Sequence, residues 1–144
     1  MKLTSDFSLN ELTVSATATA HGIDNTPNLA VIEALKALCV NILQPARDAI
    51  GAVEISSGYR CQALNRMVGG VSSSQHTTGE AVDIKSADKA KLFHWIKDNV
   101  VFDQLIWENG NDEQPNWVHV SFSQTHCRKQ VLRKRSTSLG YELW

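Results

Sequence analysis

The sequence predicts an α+β domain in which helices pack on a small, mainly antiparallel sheet. Apolar residues recur at helical spacing in the first third of the chain, and they alternate with polar residues in short segments after residue 53. The turn-rich segment NGNDEQPN separates two of these alternating segments and suits an antiparallel return. Because helices come first and strands later, the pattern favours the α+β class.

A single domain is expected to span residues 1–144. The chain has 144 residues, 42% of them hydrophobic, which is enough to bury one ordinary core. Its parts are a helical N-terminal part at about 1–52, a motif-bearing core at 53–125 and a basic C-terminal extension at 126–144.

The first helix is predicted from a capping box. Ser8 is followed three residues later by Glu11, a pair that begins helices by satisfying each other's backbone donors. We therefore expect a short helix over residues 9–15. A polar loop through His21 and Asn25 should follow it.

A longer second helix is predicted after that loop. We expect Thr26 to cap it and Pro27 to occupy its first position. Pro45 is expected to interrupt the helix, and Gly51 to end the region. The stripe that should face the core consists of Val31, Leu35, Leu38 and Ile42.

The motif-bearing core is predicted to contain strands and two helices. We expect strands at residues 53–56, 81–84, 103–108 and 117–122. Helices should lie between them at residues 62–68 and 86–100, the second capped by Ser86. Beyond Cys127, the run RKQVLRKR is either a last edge strand or a basic tail.

Composition and charge exclude several classes of function. Fourteen Lys and Arg against fifteen Asp and Glu give a net charge of −1, so we expect no nucleic-acid partner. The odd number of cysteines and the lack of a CxxC pair favour free thiols. The N-terminus lacks an uninterrupted apolar signal segment, and no run suggests a membrane span. We expect a monomer made in the cytoplasm without membrane insertion.

Two histidines and one aspartate are candidate metal ligands. His76 and Asp83 are separated by six residues where a loop enters a strand, a spacing that suits two ligands on one ion. In the strand WVHVSF, His119 alternates with apolar neighbours and should face a cleft. Gly79 is expected to permit a backbone conformation or close approach that a side chain would block, or else to be an ordinary turn glycine.

Such a ligand set suits catalysis by zinc. Two histidines and one carboxylate leave an open position on a tetrahedral zinc ion, which can polarise a carbonyl and lower the pKa of a water molecule. No serine or cysteine lies in a recognisable nucleophile motif. Spacing alone does not establish a metal site in a chain of this length, and solvated or structural histidines remain the alternative.

The motifs resemble those of a known family. SSQHTTGEAVD fits the pattern SxHxxGxAxD, and WVHVSF fits the later histidine strand, of the M15-type zinc peptidases, which include D-alanyl-D-alanine carboxypeptidases and phage peptidoglycan endopeptidases. The resemblance extends to FSLNELTVS, GIDNTP, SSGYRCQALNRMVGG and FDQLIWE, and so covers most of the chain up to about Phe122.

This resemblance implies a fold and a set of site residues. The fold would be the compact one shared by D-alanyl-D-alanine carboxypeptidases and Hedgehog signalling domains. One zinc ion would be held by His76, Asp83 and His119. Arg60 would hold substrate or stabilise the transition state, because a guanidinium can clamp a carboxylate or an oxyanion. Ser74 would lie near the substrate.

The general base is less obvious. Many relatives carry an acidic residue three positions before the last histidine, where this chain has Asn116, which cannot accept a proton at neutral pH. Glu108, at the end of DQLIWE, looks like the glutamate that other members carry in the corresponding strand, and it is our expected base. Asp112 and Glu113 are the alternatives, and a hydrated hairpin without catalytic acid is a further one.

The predicted function is zinc-dependent hydrolysis of peptide bonds in peptidoglycan stem peptides. The enzyme would be a D,D-carboxypeptidase or an L,D-type endopeptidase, and its short length without an export segment favours a phage or prophage lysis enzyme that reaches the wall after release. One alternative is a zinc-binding module with little or no activity, suggested by Asn116. Another is a phage tail-associated protein that binds the cell wall.

Overall fold

A mostly antiparallel sheet forms the centre of the computed structural model, which describes residues 1–135 and 140–144. Within these residues the strands, in chain order, are β1 Glu54–Ser57, β2 Ala81–Lys85, β3 Gln104–Glu108, β4 Trp117–Ser121, β5 Gln130–Lys134 and β6 Tyr141–Leu143. They form one sheet in the order β1-β2-β4-β3-β5-β6. The β3–β5 pair is parallel and the other neighbouring pairs are antiparallel.

Helices cover one face of this sheet. They are α1 Leu9–Thr13, α2 Ala16–Ala20, α3 Leu29–Leu38, α4 Gln44–Ile50, α5 Gln62–Met67 and α6 Lys89–Asn99. A π-helical turn, Cys39–Leu43, joins α3 to α4, and a 3₁₀ turn, Gln75–Thr78, precedes β2. The prediction of an α+β fold with helices on a small, mainly antiparallel sheet is confirmed.

The N-terminal helices differ in part from the prediction. The capping box is confirmed, because the Ser8 hydroxyl accepts from the Glu11 N–H and the Glu11 carboxylate accepts from the Ser8 N–H. However, α1 ends at Thr13, and α2 occupies the region predicted to be a loop. Ser15 caps α2 by accepting a hydrogen bond from the Ala18 N–H. A second local capping residue thus started a helix that hydrophobic periodicity did not reveal.

The long helix begins and continues differently from the prediction. Asn28, not Thr26, is its N-cap, with the side-chain oxygen 2.9 Å from the Val31 nitrogen. Pro45 does not interrupt it. The Gln44 N–H donates to the Cys39 carbonyl five residues back, and this wider turn makes room for a proline ring that cannot donate.

The resulting continuous helix, Leu29–Ile50, is 22 residues long and apolar enough to cross a membrane by length and composition. The expectation that no run suggests a membrane span was therefore wrong, because it assumed a break at Pro45. Leu35, Leu38 and Ile42 on this helix are fully buried in the domain core, as in a core helix.

The core lies between the helices and one face of the sheet. Asp88, rather than the predicted Ser86, caps α6 by accepting from the Lys91 N–H. Helix α6 packs on β3 and β4. The strands contribute alternate apolar residues to this core, namely Val82, Ile84, Leu105, Trp107, Val118 and Val120. The opposite face of the same strands is therefore free to carry polar side chains.

The basic run after Cys127 forms a strand and not a tail. It contains β5, which pairs in parallel with β3, and β6 covers the other side of β5. The run was predicted to be either an edge strand or a tail, but β6 and not β5 lies at this edge of the sheet. Residues 136–139 of the predicted C-terminal extension lie outside the described residues.

Candidate active site

The polar face of the sheet forms the floor of a cleft. Side chains alternate along each strand, so residues that pair across neighbouring strands lie side by side. Asp83 pairs with His119, and His119 pairs with Ile106 in one row across the sheet. Glu108 belongs to the next row, where it pairs with Trp117 on one side and Lys134 on the other.

The three predicted metal ligands lie together on this floor. Nε2 of His76 is 3.4 Å from Oδ2 of Asp83, and Nδ1 of His119 is 3.0 Å from Oδ1 of the same carboxylate. All candidate ligand atoms lie within 4.8 Å of one another. The arrangement can hold a metal ion, and its two imidazole nitrogens and one carboxylate oxygen are a donor set suited to zinc.

His76 is oriented by backbone contacts. Its Nδ1 lies 2.8 Å from the Gly58 carbonyl, which can only accept, so this nitrogen donates and Nε2 is turned toward Asp83. The Ser74 hydroxyl accepts from the His76 N–H at 3.2 Å and caps the 3₁₀ turn. Ser74, predicted to lie near substrate, thus also positions a ligand and lines the cleft.

Two glycines allow this local packing. Gly79 ends the 3₁₀ turn at φ +76°, and a Cβ there would lie 2.8 Å from the Val31 carbonyl oxygen. The predicted need for both an unusual conformation and a close approach is confirmed. At Gly58, a Cβ would overlap the Leu12 carbonyl, so a side chain there would displace the backbone that receives His76.

The carboxylate of Asp83 is kept ionised. Burial alone would raise its pKa, but hydrogen bonds from His119 and His76, together with their charges, outweigh that effect. The pKa of Asp83 therefore lies well below its ordinary value. A carboxylate that is ionised and held between two imidazoles is ready to bind a cation.

Arg60 lies beside the ligands on a rigidly held segment. Its backbone N–H donates to the His76 carbonyl at 3.0 Å. The side chain of Asn25 donates to the carbonyls of Thr13 and Tyr59 and accepts from the Cys61 N–H, which holds the chain on both sides of Arg60. Sequence reasoning missed this role of Asn25, although the residue lies in the family-like segment GIDNTP.

Arg60 lines the cleft and has no salt-bridge partner among the described residues. Its Nε is buried and has no hydrogen-bond partner among the described residues. Burial lowers the pKa of Arg60, Asp83 partly opposes this shift, and a guanidinium keeps its charge at any working pH. Arg60 can therefore receive an anionic group of a ligand.

Glu108 lies in the same cleft, which has a volume of about 440 Å³ and is also lined by all three ligands. The residue is only 6% exposed. Burial raises the pKa of Glu108 above its ordinary value, with opposition from His119 and Lys134 and a further increase from Asp83. A carboxyl group with a raised pKa takes up a proton more readily than an ordinary one, as a base that later acts as an acid requires.

The other acidic candidates lie elsewhere. Asp112 is 79% exposed and forms ion pairs with Arg133 and Arg135. Glu113 and Asn116 are exposed in the β3–β4 turn and do not line the cleft. Of the acidic residues weighed for the role, Glu108 is the one that the structure places with the ligands.

The cleft continues past His119 into a second cavity of about 350 Å³. The two cavities share four lining residues, which are Val71, Ser74, His119 and Tyr141. Gln104 and Leu132 line the second cavity, and Lys134 lines the first. Sequence reasoning missed these contributions from β5 and β6, because nothing local in RKQVLRKR indicates which strand it pairs with.

A His–Asp–His cluster beside a buried glutamate, in a cleft of an α+β fold, is typical of metal-dependent hydrolases. The chain belongs to the family described as Peptidase M15, whose sequence model matches residues 5–121. The predicted family is therefore confirmed, and the protein is a metallopeptidase. No curated protein matches the chain significantly. The family match includes the ligands, Arg60 and Glu108, and it ends before β5.

Proposed function

We propose that the protein is a zinc-dependent peptidase that cuts peptide bonds in the stem peptides of peptidoglycan. The observation that carries the proposal is the convergence of His76, Asp83 and His119 beside buried Glu108 in one cleft. Zinc held by these ligands would polarise the peptide carbonyl and lower the pKa of a water molecule. Membership of the M15 family supports peptidoglycan as the substrate.

The protein's own residues supply the remaining chemistry. Glu108 accepts the proton of the attacking water and then donates it to the leaving amine. Arg60, which lines the cleft, binds a substrate carboxylate or the developing oxyanion. The Gly58 carbonyl orients the ring of His76, and a hydrogen bond to Asp83 orients the ring of His119.

The shape of the cleft favours an endopeptidase over a carboxypeptidase. Cavities lie on both sides of His119, so a peptide can continue in both directions from the bond that is cut. Arg128, the cation of the second cavity, is already paired with Asp103 through two hydrogen bonds of 2.7 and 3.0 Å. It therefore offers little to a carboxylate in the second cavity, so recognition of a substrate carboxylate is left to the cations of the first cavity.

The test is hydrolysis of defined muropeptides by the purified protein, with and without a chelator, with products identified by mass. We expect cleavage that stops on chelation and returns when zinc is added. Cleavage that persists in chelator would exclude the zinc mechanism. Zinc binding without any product would favour the alternative of a zinc-binding module.

A further inference from the structure

Strand β5, which lies beyond the family match, adds a cation to the cleft. Lys134 pairs in register with Glu108 and lines the same cavity as Arg60 and the three ligands. Its Nζ lies 4.9 Å from the centre of the Tyr141 ring, a cation–π contact that restricts the side chain. Tyr141 also lines the cavity, so β5 and β6 together form part of its wall.

Lys134 differs from the basic residues on either side of it. Arg133 is buried, pairs with Asp112 at 2.6 Å and packs its guanidinium against the rings of Trp107 and Trp144. Arg135 pairs with Glu142 at 2.6 Å. In the described part of the chain, the ammonium of Lys134 has no carboxylate within the 4.0 Å of a salt bridge.

The carboxylates of the cleft do not use up its cations. Asp83 is engaged by the two imidazoles, and a bound metal would use its remaining capacity. Glu108 is buried next to Lys134 but lies outside salt-bridge distance. Arg60 and Lys134, which have no salt-bridge partner among the described residues, therefore both line one cavity of about 440 Å³. An anionic group of a ligand is the natural partner for them.

We infer that Lys134 binds a carboxylate of the substrate peptide, so that the cleft selects peptides with a free carboxylate on the side of Glu108. This inference rests on the proposed function. Tyr141 reduces the freedom that the lysine side chain would lose on binding. Strand β5 lies outside the family match, so Lys134 is a specificity residue beyond the matched segment.

The experiment compares three forms of one stem peptide, L-alanyl-γ-D-glutamyl-L-lysyl-D-alanyl-D-alanine. One form has both carboxyl groups free, a second has the D-glutamyl α-carboxyl amidated, and a third has the C-terminal carboxyl amidated. The wild-type protein is compared with Lys134→Gln, Lys134→Arg and the control Lys129→Gln. Lys129 is an exposed residue of the same segment that does not line the cleft. Its replacement by glutamine removes the same charge as Lys134→Gln.

We expect Lys134→Gln to raise the KM of the free peptide about tenfold or more, as loss of a hydrogen bond between charged groups should. The amidated form that lacks the carboxylate bound by Lys134 should have nearly the same KM with wild type and with Lys134→Gln. Lys134→Arg should restore most of the binding of the free peptide. Lys129→Gln should match wild type on all three peptides. A Lys134→Gln effect of equal size on all three peptides, or no effect on any, would overturn the inference.

Direct binding separates this inference from the proposed function. Calorimetric titration of the same peptides into zinc-loaded Glu108→Gln protein, with and without the Lys134→Gln change, measures recognition without turnover. If no peptide is cut, the proposed function fails, yet a preference for the free carboxylate that depends on Lys134 would still support the inference. Equal affinity of both proteins for all three peptides would refute it. Thermal melts check that each variant is folded.

Discussion

Replacing Glu108 by glutamine is expected to remove most turnover and leave metal binding intact. Glutamine has nearly the same shape, so it fits a position that is only 6% exposed, but it cannot accept the proton of the attacking water. A general base contributes about 10²–10⁴-fold to the rate. Since a tenfold change is about 1.4 kcal/mol, the barrier should rise by about 3–5 kcal/mol.

The loss of activity in Glu108→Gln should appear as a lower kcat rather than as a higher KM. Glu108 is not one of the three ligands, and Arg60, which should bind substrate, reaches the cleft from a different segment. Steady-state kinetics on a stem peptide measure both parameters, and elemental analysis of the dialysed protein gives the zinc content. Asn116→Ala is the matched control, because this exposed residue of the same hairpin does not line the cleft.

The pH dependence gives a second measure of the same residue. Burial raises the pKa of Glu108, and a base must be ionised to act. Activity of the wild-type protein should therefore fall as pH decreases through this raised pKa, at a higher pH than an ordinary carboxyl group would give. If Glu108→Gln keeps more than a tenth of wild-type kcat with the same acidic limb, the base lies elsewhere. If it loses zinc, Glu108 serves the metal instead.

Four further outcomes follow from the structure. His119→Ala should weaken zinc binding by more than about 100-fold in competition with a chelating dye, since loss of a residue that only supports a ligand already costs about 10–100-fold. Because burial raises the pKa of Glu108 in the folded state, the stability from its protonated form is lost as pH rises through that pKa. Glu108→Gln measured in chelator should thus melt above wild type at pH 7 and not at pH 4. Asn25→Ala removes three hydrogen bonds to backbone and should cost about 2–3 kcal/mol in denaturant unfolding, with a higher KM because the Arg60 segment loosens. Gly79→Ala combines a left-handed backbone with a close contact to a helix carbonyl, so it should lower the free energy of unfolding by about 2 kcal/mol or more in denaturant unfolding. Gly22→Ala has no atom within 4 Å of its new Cβ, so it should lose only the part that comes from the left-handed backbone.

The parts of the fold that local sequence determines were predicted well. The Ser8–Glu11 capping box needs only neighbouring residues, and the strand that carries His119 shows its alternation directly. Thr26 was predicted as the cap of the long helix because Pro27 suits the first helical position. The structure instead uses Asn28, whose side chain reaches the Val31 N–H, and Thr26 hydrogen-bonds to Asp24.

Long-range contacts explain most of what the sequence did not predict. Continuation of the helix through Pro45 depends on a π turn that is stabilised by burial of Cys39 and Ile42 in the core. The parallel pairing of β5 with β3 joins segments that are separated by a whole hairpin, and periodicity carries no information about such partners. The ligands were predicted from motifs, whereas Lys134 reaches the cleft only through this pairing.

The alternation of strand β3 has a consequence for insertions and deletions. Glu108 faces the cleft, and Trp107, the adjacent residue, is buried in the core. Removal of a single residue from the strand would exchange the two faces, placing an indole among the ligands and a carboxylate among apolar side chains. The exposed turn from Asn109 to Asn116 carries no such alternation. Changes of chain length in this turn should therefore keep the two faces of the strands, at the cost of contacts such as the Asp112–Arg133 ion pair, whereas changes within the flanking strands should exchange them.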